Sequence, residues 1–225
     1  KEYDVFVSDF GKIKNNYKEV LGLHGIKWEE EKHTEDLILN ADVVMKSPGI
    51  PEKSPIVRKL VERGIPVISE IEFAAQYTKA ITVGITGSNG KTTTTMLTYH
   101  LLKQGGLNVG LAGNVGKSFA WQVAEGKHDI YVLELSSFQL DGIIDYKPHI
   151  AIITNISPDH LDRYDYDYGK YIAAKFRITE NQTEEDYLIY DADDEAIHNW
   201  LKMNKTKAQL LPFSMTKTIE NGAFA

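Results

Sequence analysis

The run of this 225-residue sequence best suited to do chemistry is Gly87-Ser88-Asn89-Gly90-Lys91-Thr92, and the chemistry is phosphate binding. Gly87 and Gly90 permit a tight turn whose backbone N–H groups come close to a ligand. Lys91 supplies a point charge for β- and γ-phosphates, and the Thr92 hydroxyl can ligate Mg²⁺. The general pattern G-x-x-x-x-G-K-[ST] is missed by one residue, because Ile85 occupies its first glycine position, while Gly90-Lys91-Thr92 is intact. A guanine reader needs Asn/Thr-Lys-x-Asp. The nearest stretch, Asn204-Lys205-Thr206-Lys207, lacks the acid, so ATP is the favoured nucleotide.

Three further side chains are candidates by position. Glu134 closes the apolar run Ile130-Tyr131-Val132-Leu133, and a carboxylate at the C-terminal end of a parallel strand beside a phosphate loop suits Mg²⁺. His160, in Ser157-Pro158-Asp159-His160-Leu161-Asp162, reads either as a metal ligand or as a polar loop residue. Lys175, in Tyr171-Ile172-Ala173-Ala174-Lys175, reads by its own context as a helix lysine turned to water.

Short apolar runs alternating with amphipathic stretches must position these groups, and that alternation predicts an α/β fold with a mostly parallel sheet. Strands are expected at 3–8, 43–46 and 66–69, with helices at 16–23, 34–39 and 54–63. The last of these has Ser54-Pro55 at its start and Gly64 past its end. The pattern restarts near Ala80 with a strand at 81–86, the glycine turn, and a helix at 91–104 stopped by Gly105-Gly106. Strands at 108–111, 130–135, 150–155 and 187–190 follow, with a helix at 168–179. Residues 72–79 are read as the domain boundary, a packed connecting helix carrying Phe73, Ala74, Ala75 and Tyr77 rather than a Gly/Ser tether.

Composition narrows the class. With 25 Lys+Arg against 32 Asp+Glu, the chain carries −7 and a pI near 5.5, which argues against nucleic acid as a general partner. Zero cysteines exclude disulfides, thiolate metal sites and cysteine nucleophiles, and fit a reducing compartment. No apolar run reaches the ~20 residues of a membrane span, and the opening Lys1-Glu2-Tyr3-Asp4 is neither a signal peptide nor a usual start, so the chain is expected to be cut there.

Taken together, Gly87 to Thr92, Gly113-Asn114, Leu133-Glu134-Leu135-Ser136-Ser137-Phe138-Gln139-Leu140 and Asp159-His160-Leu161-Asp162-Arg163-Tyr164 resemble the ATP-dependent Mur ligases of peptidoglycan synthesis. The Leu-Ser-Ser-Phe-Gln-Leu stretch most resembles the members that add D-glutamate to UDP-N-acetylmuramoyl-L-alanine, and Lys46-Ser47-Pro48-Gly49-Ile50 resembles the turn that holds the UDP portion.

The resemblance implies a Rossmann-like domain at 1–78 without its first strand, and a phosphate-loop ATPase domain at 79–225, incomplete at its end. It implies phosphate contacts from Gly87, Ser88, Asn89, Gly90, Lys91, Thr92 and Thr93, and Mg²⁺ ligation by Thr92 and Glu134. A second Mg²⁺ would fall to His160 and to Lys175 carried as a carbamate. Ser47, Pro48, Gly49, Asn114, Ser136 and Gln139 are implied substrate contacts, and the implied catalytic set is Lys91, His160 and Lys175. ATP and Mg²⁺ are the implied cofactors and the cytoplasm the implied location. A third domain, which binds D-glutamate, is expected to lie outside the 225 residues, so this chain alone is expected not to ligate. Two rivals stand beside this reading: another phosphate-loop ATPase or kinase, and a non-catalytic nucleotide- or UDP-sugar-binding module.

Overall fold

A computed structural model describes residues 3–126 and 128–225. The chain divides into two compact units, Lys1–Val44 with Ile50–Val67, and Met45–Gly49 with Ile68–Ala225.

In the smaller unit, β1 (Phe6–Ser8) pairs in parallel with β2 (Lys27–Glu29) through α1 (Asn15–Leu23). α2 (Glu35–Ile38) follows. β3 (Val44–Met45) and, after α3 (Pro55–Glu62), β4 (Val67–Ile68) form a second two-stranded sheet at the border of the units. α3 begins at Pro55, whose missing N–H is no loss in a first turn, and Gly64 follows its end at φ 69°. Val57 and Leu60 are its buried positions. The first strand is shorter than expected, starting at Phe6 rather than Tyr3, and β2 is an element that the sequence pattern did not reveal.

The larger unit opens with α4 (Glu70–Ala75), capped by the Ser69 hydroxyl, which accepts from Glu72 N–H. Then come β5 (Ile81–Thr86), α5 (Lys91–Gln104), β6 (Val109–Gly113), α6 (Phe119–Glu125), β7 (Ile130–Glu134), α7 (Ser137–Leu140) and β8 (Ile150–Ile153). A 3₁₀ turn at Leu161–Tyr164 leads to α8 (Tyr168–Phe176), and the expected helix to Thr179 ends in a second 3₁₀ turn, Arg177–Thr179. β9 (Tyr187–Asp191), α9 (Glu195–Met203), β10 (Gln209–Ser214) and β11 (Ala223–Phe224) complete it. The seven strands run in the order β11-β10-β9-β8-β5-β7-β6, and the pairings that join them are parallel.

Strand periodicity separates the two faces. Tyr131 and Leu133 point into the larger core with Phe119, Ile153, Phe176 and Leu188, while Val132 joins Val83, Ile85 and Val109 under Tyr99 and Leu102 of α5. β5 lies between β8 and β7. The chain leaves it toward β6 and β7 on one side and crosses to β8 on the other, so the carboxyl end of β5 is a topological switch point, where open α/β sheets bind ligands.

The packed helix read at 72–79 is observed as α4, which lies inside the larger unit because the division into units falls between Val67 and Ile68; Ile71 and Ala74 are fully buried and the Phe73 and Tyr77 rings are 5.2 Å apart. Its Glu72 is also buried, and one carboxylate oxygen accepts from the backbone N–H groups of Ile144, Asp145 and Tyr146 at 2.8, 3.1 and 2.9 Å. Glu72→Ala leaves three donors without an acceptor. It should lower stability by about 3 kcal/mol or more in denaturant unfolding, and a change below about 0.5 kcal/mol would show that water replaces the carboxylate there.

Candidate active site

β5 delivers the chain into the glycine turn. Gly87 has φ 145° and a Cβ there would lie 2.0 Å from Thr154 Oγ1, so only glycine passes. Gly90 is left-handed at φ 79° and caps α5, whose first-turn N–H groups at Lys91, Thr92 and Thr93 have no helical partner. The N–H groups of Ser88 and Asn89 are taken by Asn155, the first by its carbonyl at 2.8 Å and the second by its side-chain oxygen at 2.9 Å. Gly90, Lys91, Thr92 and Thr93 are thus the part of the turn that can face phosphate with N–H donors.

Two lysines meet at this turn. Lys91 Nζ donates to the carbonyls of Gly87 and Ser88, each at 2.9 Å, and Lys175 Nζ donates to the same Gly87 carbonyl at 2.8 Å. Lys175 is 2% exposed and lies over the Tyr171 ring. The expectation of a solvated helix lysine, drawn from local context, is therefore wrong in its surroundings. Burial, and after it the Lys91 ammonium, push Lys175 down to about 7, with Asp159 opposing. A large part of its amine is then neutral near pH 7.

Glu134 ends β7 beside β5, paired in register with Ile85. It is 2% exposed; one carboxylate oxygen accepts from Asn114 Nδ2 at 2.7 Å, and the other is buried with no hydrogen-bond partner. Asn114 is also held by its own N–H to the Glu134 carbonyl at 2.9 Å. That close approach requires Gly113, where a Cβ would sit 2.3 Å from the same carbonyl oxygen. Ser136 and Gln139 form a reciprocal capping box on α7: Ser136 Oγ accepts from Gln139 N–H at 3.2 Å and Gln139 Oε1 accepts from Ser136 N–H at 2.9 Å. The pair is thereby fixed at the same strand end as Glu134.

His160 is left-handed at φ 48° and 59% exposed, with Nε2 3.5 Å from the Asp159 carboxylate and its ring 5.4 Å from that of Phe138. Arg163, three residues on, lies over the Phe138 face and donates to the carbonyls of Pro48 and Gly49 at 3.3 and 3.5 Å, so the Ser47-Pro48-Gly49 turn packs with the larger unit.

The donor set fits Mg²⁺. A buried carboxylate oxygen left without a partner at Glu134 and a hydroxyl at Thr92 are oxygen ligands of the kind this hard cation takes, whereas the imidazole of His160 is a softer nitrogen donor that suits it less well. Among the described residues no three His, Cys, Asp or Glu side chains converge on one point. That pattern suits an ion held by one or two protein groups and completed by phosphate and water.

Sequence reasoning missed Thr154, Asn155, Ser157 and Tyr171, which support the turn. Ser88 Oγ donates to Ser157 O at 2.8 Å, accepts from Ser157 N–H at 2.9 Å and lies 3.1 Å from Tyr171 OH. Their one signal was a pair of polar residues, Thr154-Asn155, closing an apolar run. In the smaller unit it also missed Glu29. Its burial tends to raise its pKa, yet hydrogen bonds from Thr34 and Ser8 hold it below the usual carboxylate range.

Residues 85–223 match the family described as Mur ligase middle domain, and residues 1–56 match the MurD N-terminal domain. The UDP-N-acetylmuramoylalanine–D-glutamate ligase of Christiangramia forsetii is 65% identical over 222 residues, 99% of this chain and 50% of that protein. The Bacteroides fragilis protein of the same name is 58% identical over 225 residues, 100% of this chain and 50% of its own length. The chain thus spans about half the length of these curated relatives. Among solved structures, UDP-N-acetylmuramate:L-alanyl-gamma-D-glutamyl-meso-diaminopimelate ligase from Neisseria meningitides superposes with a TM-score of 0.62 at 18% identity, covering 96% of this chain and 74% of that one, which is a likeness of fold. No helix among the described residues is long and apolar enough to cross a membrane.

Proposed function

Since this chain belongs to the Mur ligase family, we propose that the full-length protein joins D-glutamate to UDP-N-acetylmuramoyl-L-alanine at the expense of ATP, in the cytoplasm, as a step in making peptidoglycan precursors. The observation that carries the reading is the meeting of Lys91 and the buried Lys175 on the Gly87 carbonyl, at the switch point of a parallel sheet. In this reading residues 1–78 bind the UDP precursor and 79–225 bind ATP.

The alanyl carboxylate attacks the γ-phosphorus of ATP, releasing ADP and forming an acyl phosphate. The D-glutamate amine then adds to the acyl carbon, and the tetrahedral intermediate expels inorganic phosphate. Two anions must meet in the first step. Lys91 and the N–H groups of Gly90 to Thr93 neutralise the phosphate charge that would hold them apart. Asn114, Ser136 and Gln139 orient the muramoyl-alanine end with amide and hydroxyl groups that do not compete as nucleophiles, and Ser47, Pro48 and Gly49 hold the UDP end. Thr92 and Glu134 would hold one Mg²⁺, and His160 with a carbamylated Lys175 a second. When bound, Mg²⁺ supplies further positive charge to the phosphoryl oxygens.

Calorimetric titration of ATP and of UDP-N-acetylmuramoyl-L-alanine, followed by phosphate release on adding D-glutamate to the full-length protein, tests the whole reading. Phosphate release that ignores D-glutamate would point to a different phosphate-loop ATPase, and binding without release in the full-length protein would point to a non-catalytic module. Glu134→Gln keeps the shape and the Asn114 contact but removes the charge. It should weaken Mn²⁺ binding to the nucleotide-bound protein about tenfold or more, read by the paramagnetic signal of the ion. Unchanged Mn²⁺ affinity would remove Glu134 from the metal shell.

A further inference from the structure

We propose that Asn155 is a positioning residue that fixes the phosphate loop before any nucleotide arrives; the phosphate part of this proposal rests on the reading of Gly87 to Thr93 as an ATP site. The loop needs such support. Ile85 stands where the general pattern has its first glycine and is wholly buried in β5, so the turn is compressed into Gly87 to Gly90, with φ of 145° and 79° at its two glycines. A free chain would have no reason to hold that shape, given the freedom of glycine.

The carboxamide of Asn155 takes the place of a strand neighbour. Its Oδ1 accepts from Asn89 N–H at 2.9 Å and its Nδ2 donates to Asn89 C=O at 2.9 Å, while its own carbonyl accepts from Ser88 N–H at 2.8 Å. Thr154 Oγ1 adds a second donor to Asn89 C=O at 2.7 Å. One residue, Asn89, is thus gripped at both its backbone donor and its backbone acceptor by a side chain 66 residues away in sequence. A carboxamide offers both functions in one plane without depending on a protonation state. β8 ends at Ile153 rather than at Asn155, the length read from its apolar run, because Thr154 and Asn155 turn onto the loop. The Ser88 and Asn89 N–H groups are then spent inside the protein, so Asn155 acts on phosphate through the loop's shape.

The test uses Asn155→Ala and the nearly isosteric Asn155→Leu, which keeps the packing and lacks both donor and acceptor. In nucleotide-free protein, exchange of the Asn89 amide should accelerate at least about tenfold in both variants, at a melting temperature near that of wild type. ATP affinity should fall about tenfold, with UDP-precursor affinity unchanged. ATP affinity within twofold of wild type in both variants would overturn the proposal. So would weakened ATP binding with the Asn89 amide still protected, since that pattern means direct contact with nucleotide. Faster Asn89 exchange in variants of a wild-type protein that binds no ATP would overturn the nucleotide reading and not the clamp.

Discussion

Lys91→Ala in the full-length protein should lower ATP-dependent turnover by about 10³-fold or more, while leaving the affinity for UDP-N-acetylmuramoyl-L-alanine within about twofold. The asymmetry follows from where the side chain is anchored. Lys91 leaves the first turn of α5 and reaches back to the Gly87 and Ser88 carbonyls. A γ-phosphate seated at the helix N-terminus therefore meets an ammonium already held in place, and its removal exposes two backbone carbonyls to the anion as well. Both effects are greatest when charge builds between the carboxylate and the phosphoryl group. Calorimetry for the precursor and a coupled ADP assay for turnover would check it. Parallel loss of both would mean that the substitution disturbs the fold rather than the chemistry.

Lys175 should give the second large effect, with opposite signs in stability and activity. An unfolded chain keeps the lysine proton up to its ordinary value of 10.5, whereas the folded chain releases it near 7. Between those values the unfolded state binds more protons, so stability rises with pH across the window, and below about 7 the folded protein carries the full penalty of a buried ammonium. Lys175→Met removes that penalty. It should be about 2–4 kcal/mol more stable than wild type at pH 6, with the difference shrinking toward pH 10; a difference that does not change with pH would return the lysine to the solvent-exposed class.

Activity should fall by orders of magnitude. The neutral amine that burial creates can attack CO₂, forming an N–C bond and releasing a proton, and the resulting carbamate is an anion beside the Lys91 ammonium. If that anion serves the metal, Lys175→Ala should recover part of its activity with added formate or acetate, while Lys175→Arg should not, because it places a fixed cation in the site. No rescue by any short acid, together with wild-type activity that ignores bicarbonate depletion, would argue that the lysine works as an amine.

How far the sequence carried each of these sites depends on the range of the interactions. The glycine turn, the strand before it and the helix after it are written in contiguous residues, and the structure places β5 and α5 at 81–86 and 91–104, as the pattern predicts. Glu134 was legible because strands of a parallel sheet present their carboxyl ends together, so an acid closing an apolar run falls near a loop that closes another. The Ser136–Gln139 capping box was equally local and was read only through its resemblance, although Ser-x-x-Gln carries its own helix-start meaning.

Several elements escaped: β2 has three residues, α7 four and β11 two, too few to establish a period, and the longer α6, α9 and β10 also went unread. Tertiary structure alone decided the surroundings of Lys175 and Asn155. Nothing near Lys175 in sequence distinguishes it from an exposed helix lysine. It is the carbonyl of Gly87, 88 residues away, and the walls of a core built from distant strands that bury it and depress its proton affinity. Hydrophobic periodicity reports which face of an element turns inward, because that depends on neighbours three, four or two residues along. Which polar group awaits a buried side chain there depends on loops that close over dozens of residues, and local pattern holds no record of them.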